Sequence, residues 1–228
     1  MLPYKYNYLV GAVLCFVLWL ILYWHRRDLR KEMLYMSICV AIVGLFAEFF
    51  LWTVDWWHPY TITGTRIGIE DLILGFTNGG VAAVLYEEIF KKRLYRRKIY
   101  QPSHGIWIFA LVSLIVTYSF FYFFQLTSFY ATTIGFAIGG VIILWFRKDL
   151  VIDAILSGFL VSLVSLPFYW ILFYLSPGIV GAIWYTNRLS GVYFAGIPVE
   201  DLVFYFFVGF TVGPLYEFWR GERLRRLK

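Results

Sequence analysis

The sequence predicts an all-α integral membrane protein of seven transmembrane helices. Of its 228 residues, 61% are hydrophobic and only 15% are charged, and the mean hydropathy is +0.72. A soluble domain of this size cannot bury that much apolar surface, so lipid must be the solvent for most side chains. A helix needs ~20 apolar residues to cross the hydrocarbon core. Seven such runs are present, at 6–24, 33–54, 69–90, 105–126, 129–146, 151–175 and 198–219.

The basic residues predict the orientation of these spans. Of the 20 Lys and Arg residues, 17 lie on one side, in the connectors His25–Glu32, Lys91–Lys98 and Arg147–Asp153 and in the tail after Trp219. Because positively charged loops stay in the cytoplasm, the N-terminus is predicted outside and the C-terminus inside. The chain is expected in the cell (plasma) membrane as a multi-pass protein. The net charge of +6 is therefore a topology signal, and no nucleic-acid partner is indicated.

Two long connectors, Asp55–Ile67 and Pro177–Ile197, are predicted on the outer side. Both are rich in aromatic residues, among them Trp56-Trp57 and Trp184-Tyr185. Such residues are typical of an aromatic belt at the membrane interface. The alternative is that the connectors cap a cavity that opens toward the outer leaflet.

The chain contains an internal duplication. Ile69-Glu70-Asp71-Leu72 recurs as Val199-Glu200-Asp201-Leu202, and Leu85-Tyr86-Glu87 recurs as Leu215-Tyr216-Glu217, both at an offset of 130 residues. The sequence thus predicts a three-helix repeat in residues 1–100, a linker helix in 101–128 and a second repeat in 129–228. Corresponding helices are four spans apart, so the repeats are parallel and related by a pseudo-twofold axis along the membrane normal. Sites in such folds tend to lie between the repeats.

The acidic pairs Glu70-Asp71 and Glu200-Asp201 are the leading functional candidates, because ionisable residues in membrane segments are costly. Each pair opens the third helix of its repeat, where acids also cap free N–H groups and oppose the helix dipole. Capping needs one acid, however, and both repeats keep two. Carboxyls that meet across the pseudo-twofold axis could not both ionise, so one would remain a Brønsted acid. Glu48 is a third candidate, with snorkelling to the interface as the alternative.

Several classes of site are excluded by the residues. Every lysine lies in a tail or connector, so no retinal Schiff base is possible, and no glycine-rich dinucleotide motif follows a strand. The three histidines show no metal-ligand spacing. Glu87 and Glu88 precede Lys91 and Lys92, which indicates helix-end ion pairs. The sequence therefore predicts no cofactor and no metal.

Two three-helix units, each with an acidic pair opening its last helix, resemble the membrane-integral lycopene cyclases in their fused seven-helix form. The family carries Pro-x-Glu-(Glu/Asp) once per unit. Pro198-Val199-Glu200-Asp201 matches this motif, and Gly68-Ile69-Glu70-Asp71 matches it except for the proline. If that proline serves only to start the helix, a Gly68→Pro variant should remain active.

The resemblance implies a carotenoid cyclase. Such an enzyme protonates a terminal double bond of a linear carotenoid, the adjacent double bond closes the ring, and a proton is then lost without net redox change. By this resemblance Glu70 and Glu200 are the acid candidates, with Asp71 and Asp201 as bases or partners. The residues expected along the substrate are Phe76, Asn78, Phe204, Tyr205 and Phe206.

A small-solute transporter is the competing prediction, because one class of sugar transporters shares the parallel 3+1+3 arrangement. Those transporters use prolines inside the first helix of each repeat as hinges, and spans 1 and 5 lack them. The cyclase interpretation implies a linear carotenoid substrate in contact with membrane lipid. A homo-oligomer, or contact with other enzymes of carotenoid synthesis, stays open.

Overall fold

The structure is a computed structural model that describes residues 1–95 and 104–226. Its main elements are seven helices, α1 to α7, within that part of the chain. They are Tyr4–His25, Arg30–Ala47, Ile69–Ile89, Gly105–Tyr122, Ser128–Phe146, Val151–Leu175 and Val199–Val212. Helix α2 continues through a π-helical turn, Glu48–Trp52, into Thr53–Asp55. Shorter helices are Ile179–Ile183 and Leu215–Arg220, and 3-10 turns are Lys148–Leu150 and Thr186–Arg188.

The helices define an all-α membrane protein. Within the described ranges, six helices are long and apolar enough to cross a membrane. They are Tyr4–His25, Arg30–Asp55, Gly105–Tyr122, Ser128–Phe146, Lys148–Leu175 and Val199–Arg220. Helix α3, the third predicted span, has 21 residues but carries two acids near each end, and it is not among the six.

Small residues bring the second and third helix of each predicted repeat together. A Cβ built on Gly79 in α3 would overlap the Met36 carbonyl in α2, and one built on Gly209 in α7 would overlap the Ser157 carbonyl in α6. Backbones this close are typical of membrane helix pairs with small residues at the contact. The main apolar core lies among α1, α2, α3, α6 and α7 and includes Trp19, Met36 and Val212.

Arg26 ties the end of α1 to the end of α3. Its guanidinium donates hydrogen bonds to both carboxylate oxygens of Asp28 and to the carbonyls of Glu87 and Lys92. These charge-assisted bonds satisfy carbonyls at the end of α3. Hydrogen bonding from Arg26 also holds the pKa of the Asp28 carboxyl below its ordinary value.

Apart from a further bond from Arg26 to Glu88 Oε2 at 3.2 Å, Arg147 makes the matching contacts in the second half. It donates to both carboxylate oxygens of Asp149 and to the carbonyls of Glu217 and Glu222. Arg147 lies 121 positions after Arg26, and Glu217 lies 130 positions after Glu87. We call this end of the bundle the arginine end, and the other the acidic-pair end, where α3 and α7 begin. The repeated contacts support the predicted duplication.

Two antiparallel strand pairs complete the fold. Strand β1, Lys92–Tyr95, pairs with β4, Arg223–Arg226, and β2, Tyr193–Phe194, pairs with β3, Ile197–Pro198. In the first pair Leu94 faces Leu224. These leucines are equivalent in the sequence repeat, and antiparallel pairing of equivalent strands is what a twofold axis between them generates. The basic residues Arg96 to Lys98 and the predicted boundary at residues 100 and 101 lie outside the described residues.

Candidate active site

The acidic-pair end holds all five predicted catalytic carboxyls, and all are buried. Their exposed fractions run from 0% to 5%. Because Glu48 is among them, its side chain does not extend to the surface of the protein, as the snorkelling alternative would require. Four of them occupy the first turns of α3 and α7, where free N–H groups favour negative charge. Glu48 opens the π-helical turn after α2. Such turns inside α-helices are frequent at functional sites.

Glu70 and Glu200 have matching surroundings. Glu70 Oε1 accepts a hydrogen bond from the Ile62 backbone N–H at 2.6 Å, and Glu200 Oε1 accepts one from the Ser190 N–H at 2.5 Å. In both, Oε2 is buried and has no hydrogen-bond partner among the described residues. Each glutamate therefore anchors a long connector with one oxygen.

Asp71 and Asp201 differ from these glutamates, because both oxygens of each accept hydrogen bonds. Asp71 accepts from the Tyr8 hydroxyl and from the Gly68 N–H. Asp201 accepts from the Tyr169 hydroxyl at 2.8 Å and from Trp184 Nε1 at 3.2 Å. Two donors hold each of these carboxyl groups in a fixed orientation. Each acidic pair thus combines one carboxyl that has an unpartnered oxygen with one whose two oxygens are both hydrogen-bonded.

The two halves differ in one neighbour of these aspartates. Glu48 lies beside Asp71, and the position 121 residues later is Tyr169, which binds Asp201. The first half therefore has a third carboxyl where the second half has a phenol. Glu48 and Glu70, both of the first half, are carboxyl neighbours of Asp71, and the predicted meeting of carboxyls across the halves stays a prediction.

The two long connectors fold over the acidic pairs and join each other. Trp57 forms a β-bridge with Trp184, the His58 N–H donates to the Ile183 carbonyl, and the Tyr185 N–H donates to the Trp56 carbonyl. Trp56 and Trp184 are only 4% and 8% exposed. The connectors thus pack against each other and against the acidic pairs, and the cavity that the second interpretation of these aromatic residues requires stays a prediction.

Of the five predicted substrate-lining residues, three lie near Tyr169 and the connector tryptophans that surround Asp201. The Tyr205 ring lies 6.1 Å from that of Tyr169, Asn78 lies beside Tyr205, and the Phe204 ring lies 5.0 Å from that of Trp56. The other two pack elsewhere along the helices. The Phe76 ring lies 5.0 Å from that of Trp19, and the Phe206 ring lies 5.0 Å from that of Phe159.

Sequence reasoning missed the two tyrosines that bind the aspartates. Tyr8 and Tyr169 lie inside apolar spans, where they resemble lipid-facing aromatic residues. A buried tyrosine hydroxyl nevertheless needs a hydrogen-bond partner, so a tyrosine near the same end of a span as a buried acid is a usable signal. Trp184 was noted as an aromatic connector residue, but its bond to Asp201 depends on how the connector folds.

Gly68→Pro is expected to lower stability, because the Gly68 N–H makes a hydrogen bond that proline cannot make. Proline removes the N–H that donates to Asp71 at 2.7 Å, and a Cβ at Gly68 would overlap the Glu70 carboxyl. Losing a bond to a charged group costs ~1–3 kcal/mol. In the second half Pro198 has no N–H to donate, and Asp201 takes its second bond from Trp184.

The predicted loss of stability in Gly68→Pro is measured as a fall in the thermal unfolding midpoint of the purified protein. Pro198→Gly is the matched control and should shift the midpoint little, whereas Gly68→Ala should be intermediate because it keeps the N–H. A Gly68→Pro protein as stable as the unchanged chain would show that this bond contributes nothing.

The fold and the site define a multi-pass helical membrane protein with a capped cluster of buried carboxyls. A family model described as lycopene cyclase matches residues 5–89 and 126–219, which is most of the chain. The protein belongs to the lycopene cyclase family. The matched stretches leave out residues 90–125, which include α4. Searches of curated proteins and of solved structures found no match.

Proposed function

We propose that this protein cyclises the end group of a linear carotenoid by protonation, without net redox change. Membership of the lycopene cyclase family supports a carotenoid substrate and a cyclisation reaction. The observation that carries the mechanism is the pairing, in each half, of a buried glutamate with an unpartnered oxygen and an adjacent aspartate with two donors. The comparisons give the transporter alternative no support.

In the proposed reaction Glu70 or Glu200 gives its proton to a terminal double bond of the substrate. The electron pair of the adjacent double bond then attacks the resulting carbocation and closes a six-membered ring. A proton leaves the ring, with Asp71 or Asp201 as the accepting base or as the charge that stabilises the cation. One proton enters and one leaves, so the product is an isomer of the substrate. Two adjacent carboxyls in different environments suit such a division of roles.

The aromatic residues around the acids suit a carbocation. A chain of ring contacts runs from Trp56 through Phe204 and Tyr205 to Tyr169, and the faces of such rings attract positive charge. The Trp184 cap over Asp201 keeps water from the site, which protects a cation that water would otherwise trap.

We further propose a parallel 3+1+3 arrangement of seven spans in the plasma membrane, with the N-terminus outside. The 17 basic residues on one side of the predicted spans support the orientation. The matching contacts of Arg26 and Arg147 and the Leu94–Leu224 pair support the two repeats. With this orientation the carboxyls lie near the outer face, where a membrane-spanning carotenoid presents an end group.

Expression in lycopene-accumulating bacterial cells tests the proposal, with pigments separated by chromatography. We expect monocyclic or bicyclic products, whose spectra also give the ring type. Unchanged lycopene in cells whose membranes contain the protein would contradict lycopene cyclisation, and other linear carotenoids would then be tried as substrates.

A further inference from the structure

Four carboxyl side chains lie close together at the arginine end, which is the opposite end of the bundle from the acidic pairs. They are Glu32 in α2, Glu87 in α3, Asp153 in α6 and Glu217 in the short helix Leu215–Arg220. One oxygen from each of Glu87, Asp153 and Glu217 lies within 4.8 Å of the others. Glu32 lies within electrostatic range of all three. The exposed fractions of the four are 0% to 3%.

The oxygens of this cluster are unsatisfied. Both carboxyl oxygens of Glu32, Glu87 and Glu217, and Oδ2 of Asp153, have no hydrogen-bond partner in the part of the chain that the structure describes. Asp153 Oδ1 accepts a hydrogen bond from the Ser157 hydroxyl at 3.0 Å. Seven buried acceptors without a donor would be very costly unless something else binds them.

The neighbouring cations do not fill this role. Arg26 and Arg147 donate to Asp28, to Asp149 and to backbone carbonyls, including the carbonyls of Glu87 and Glu217 rather than their carboxyls. Lys92 lies within electrostatic range of Asp153, whose Oδ2 still has no hydrogen-bond partner among the described residues. One lysine would in any case leave most of the charge of four carboxylates uncompensated.

The cluster has the symmetry of the sequence repeat. Glu32 and Asp153 are 121 positions apart, as are Arg26 and Arg147, and Glu87 and Glu217 are 130 apart. Each half therefore contributes two carboxyls from equivalent positions, and the set lies between the halves. A ligand bound at its centre would join α2 and α3 to α6 and the helix that follows α7.

We propose that Glu87, Asp153 and Glu217, with the Glu32 carboxyl beside them, bind one divalent cation of the oxygen-preferring class, Mg²⁺, Mn²⁺ or Ca²⁺, which holds the two halves together. The donors are all carboxylates, which such hard cations prefer. Oxygens up to 4.8 Å apart match opposite ligands of a cation whose metal–oxygen distances are ~2.1–2.5 Å. The sequence had predicted no metal and assigned Glu87 to helix-end ion pairing. In the structure Glu88, not Glu87, pairs with Lys91, at 2.6 Å.

Manganese serves as the probe, because its electron paramagnetic resonance signal distinguishes free from bound ion. The purified full chain, stripped of metal in detergent, is titrated with Mn²⁺. We expect saturable uptake of one ion per chain. Glu87→Gln and Glu217→Gln should each weaken binding ~10-fold or more, since even outer partners of metal ligands have effects of that size. Glu88→Gln is the matched control and should bind as the unchanged protein does.

Thermal unfolding gives a second, independent readout. Chelation should lower the midpoint of the unchanged protein and of Glu88→Gln, and should leave that of Glu217→Gln unmoved. Absence of saturable Mn²⁺ uptake, or equal uptake by Glu217→Gln, would overturn the proposal and show that the cluster holds protons instead. Neither readout uses carotenoid turnover, so the outcome is separate from that of the proposed cyclase activity.

Discussion

Glu200→Gln is expected to reduce carotenoid cyclisation ~100-fold or more while the protein still folds and inserts. Glutamine has the same shape, and its amide oxygen can still accept the Ser190 N–H that Glu200 Oε1 accepts. The variant has no acidic proton on the second oxygen, the one that lacks a partner. Loss of a general acid usually lowers a rate ~10²–10⁴-fold. Product formation per mole of membrane-inserted protein is the measurement.

Two comparisons sharpen this result. Glu88→Gln, a glutamate in α3 at the arginine end, should retain activity. Glu70→Gln tests the equivalent residue of the first half, and the more damaging of the two substitutions identifies the half that supplies the proton. If both Glu200→Gln and Glu70→Gln turn over at the unchanged rate, neither glutamate is the acid.

Asp201→Asn is expected to have an effect of similar size for a different reason. Tyr169 and Trp184 donate to its two oxygens and hold the carboxyl in place, and in the proposed reaction this group accepts the departing proton or stabilises the carbocation. Removing one preorganised charge or donor from a site of this kind typically costs ~10²–10³-fold in rate. The measurement is the initial rate of ring formation with saturating substrate.

Tyr169→Phe gives the graded comparison. It leaves the Asp201 carboxyl in place and removes one of its two hydrogen bonds, so a loss of ~10-fold is expected. Tyr8→Phe does the same for Asp71 in the first half. A Tyr169→Phe protein less active than Asp201→Asn would place the essential group on the phenol and contradict the assignment to the aspartate.

The sequence predicted the helices well, because lipid demands long apolar segments with few exceptions. The span predicted at 151–175 is α6 with the same bounds, and the spans at 129–146 and 69–90 differ from α5 and α3 by one residue at one end. It also identified the buried acids, since a carboxyl in a membrane segment is conspicuous in any sequence.

The hydrogen-bond partners of those acids could not be predicted from the sequence. Trp184 reaches Asp201 only because one connector bridges to the other, and such pairing between distant loops leaves no periodic signal. The cluster around Glu87 and Glu217 depends on how four helix ends meet. Adjacent lysines made Glu87 look like an ordinary helix-end residue, and only the packing separates it from Glu88.

The central claim is that the ring forms by proton addition and proton loss, and cyclisation in heavy water tests it most directly. Purified protein and lycopene are incubated in D₂O, and the cyclic product is analysed by mass spectrometry. We predict one deuterium in each ring formed, with no other change in composition, because the acid takes its proton from solvent. A cyclic product without deuterium, or no cyclic product from folded protein, would contradict the account.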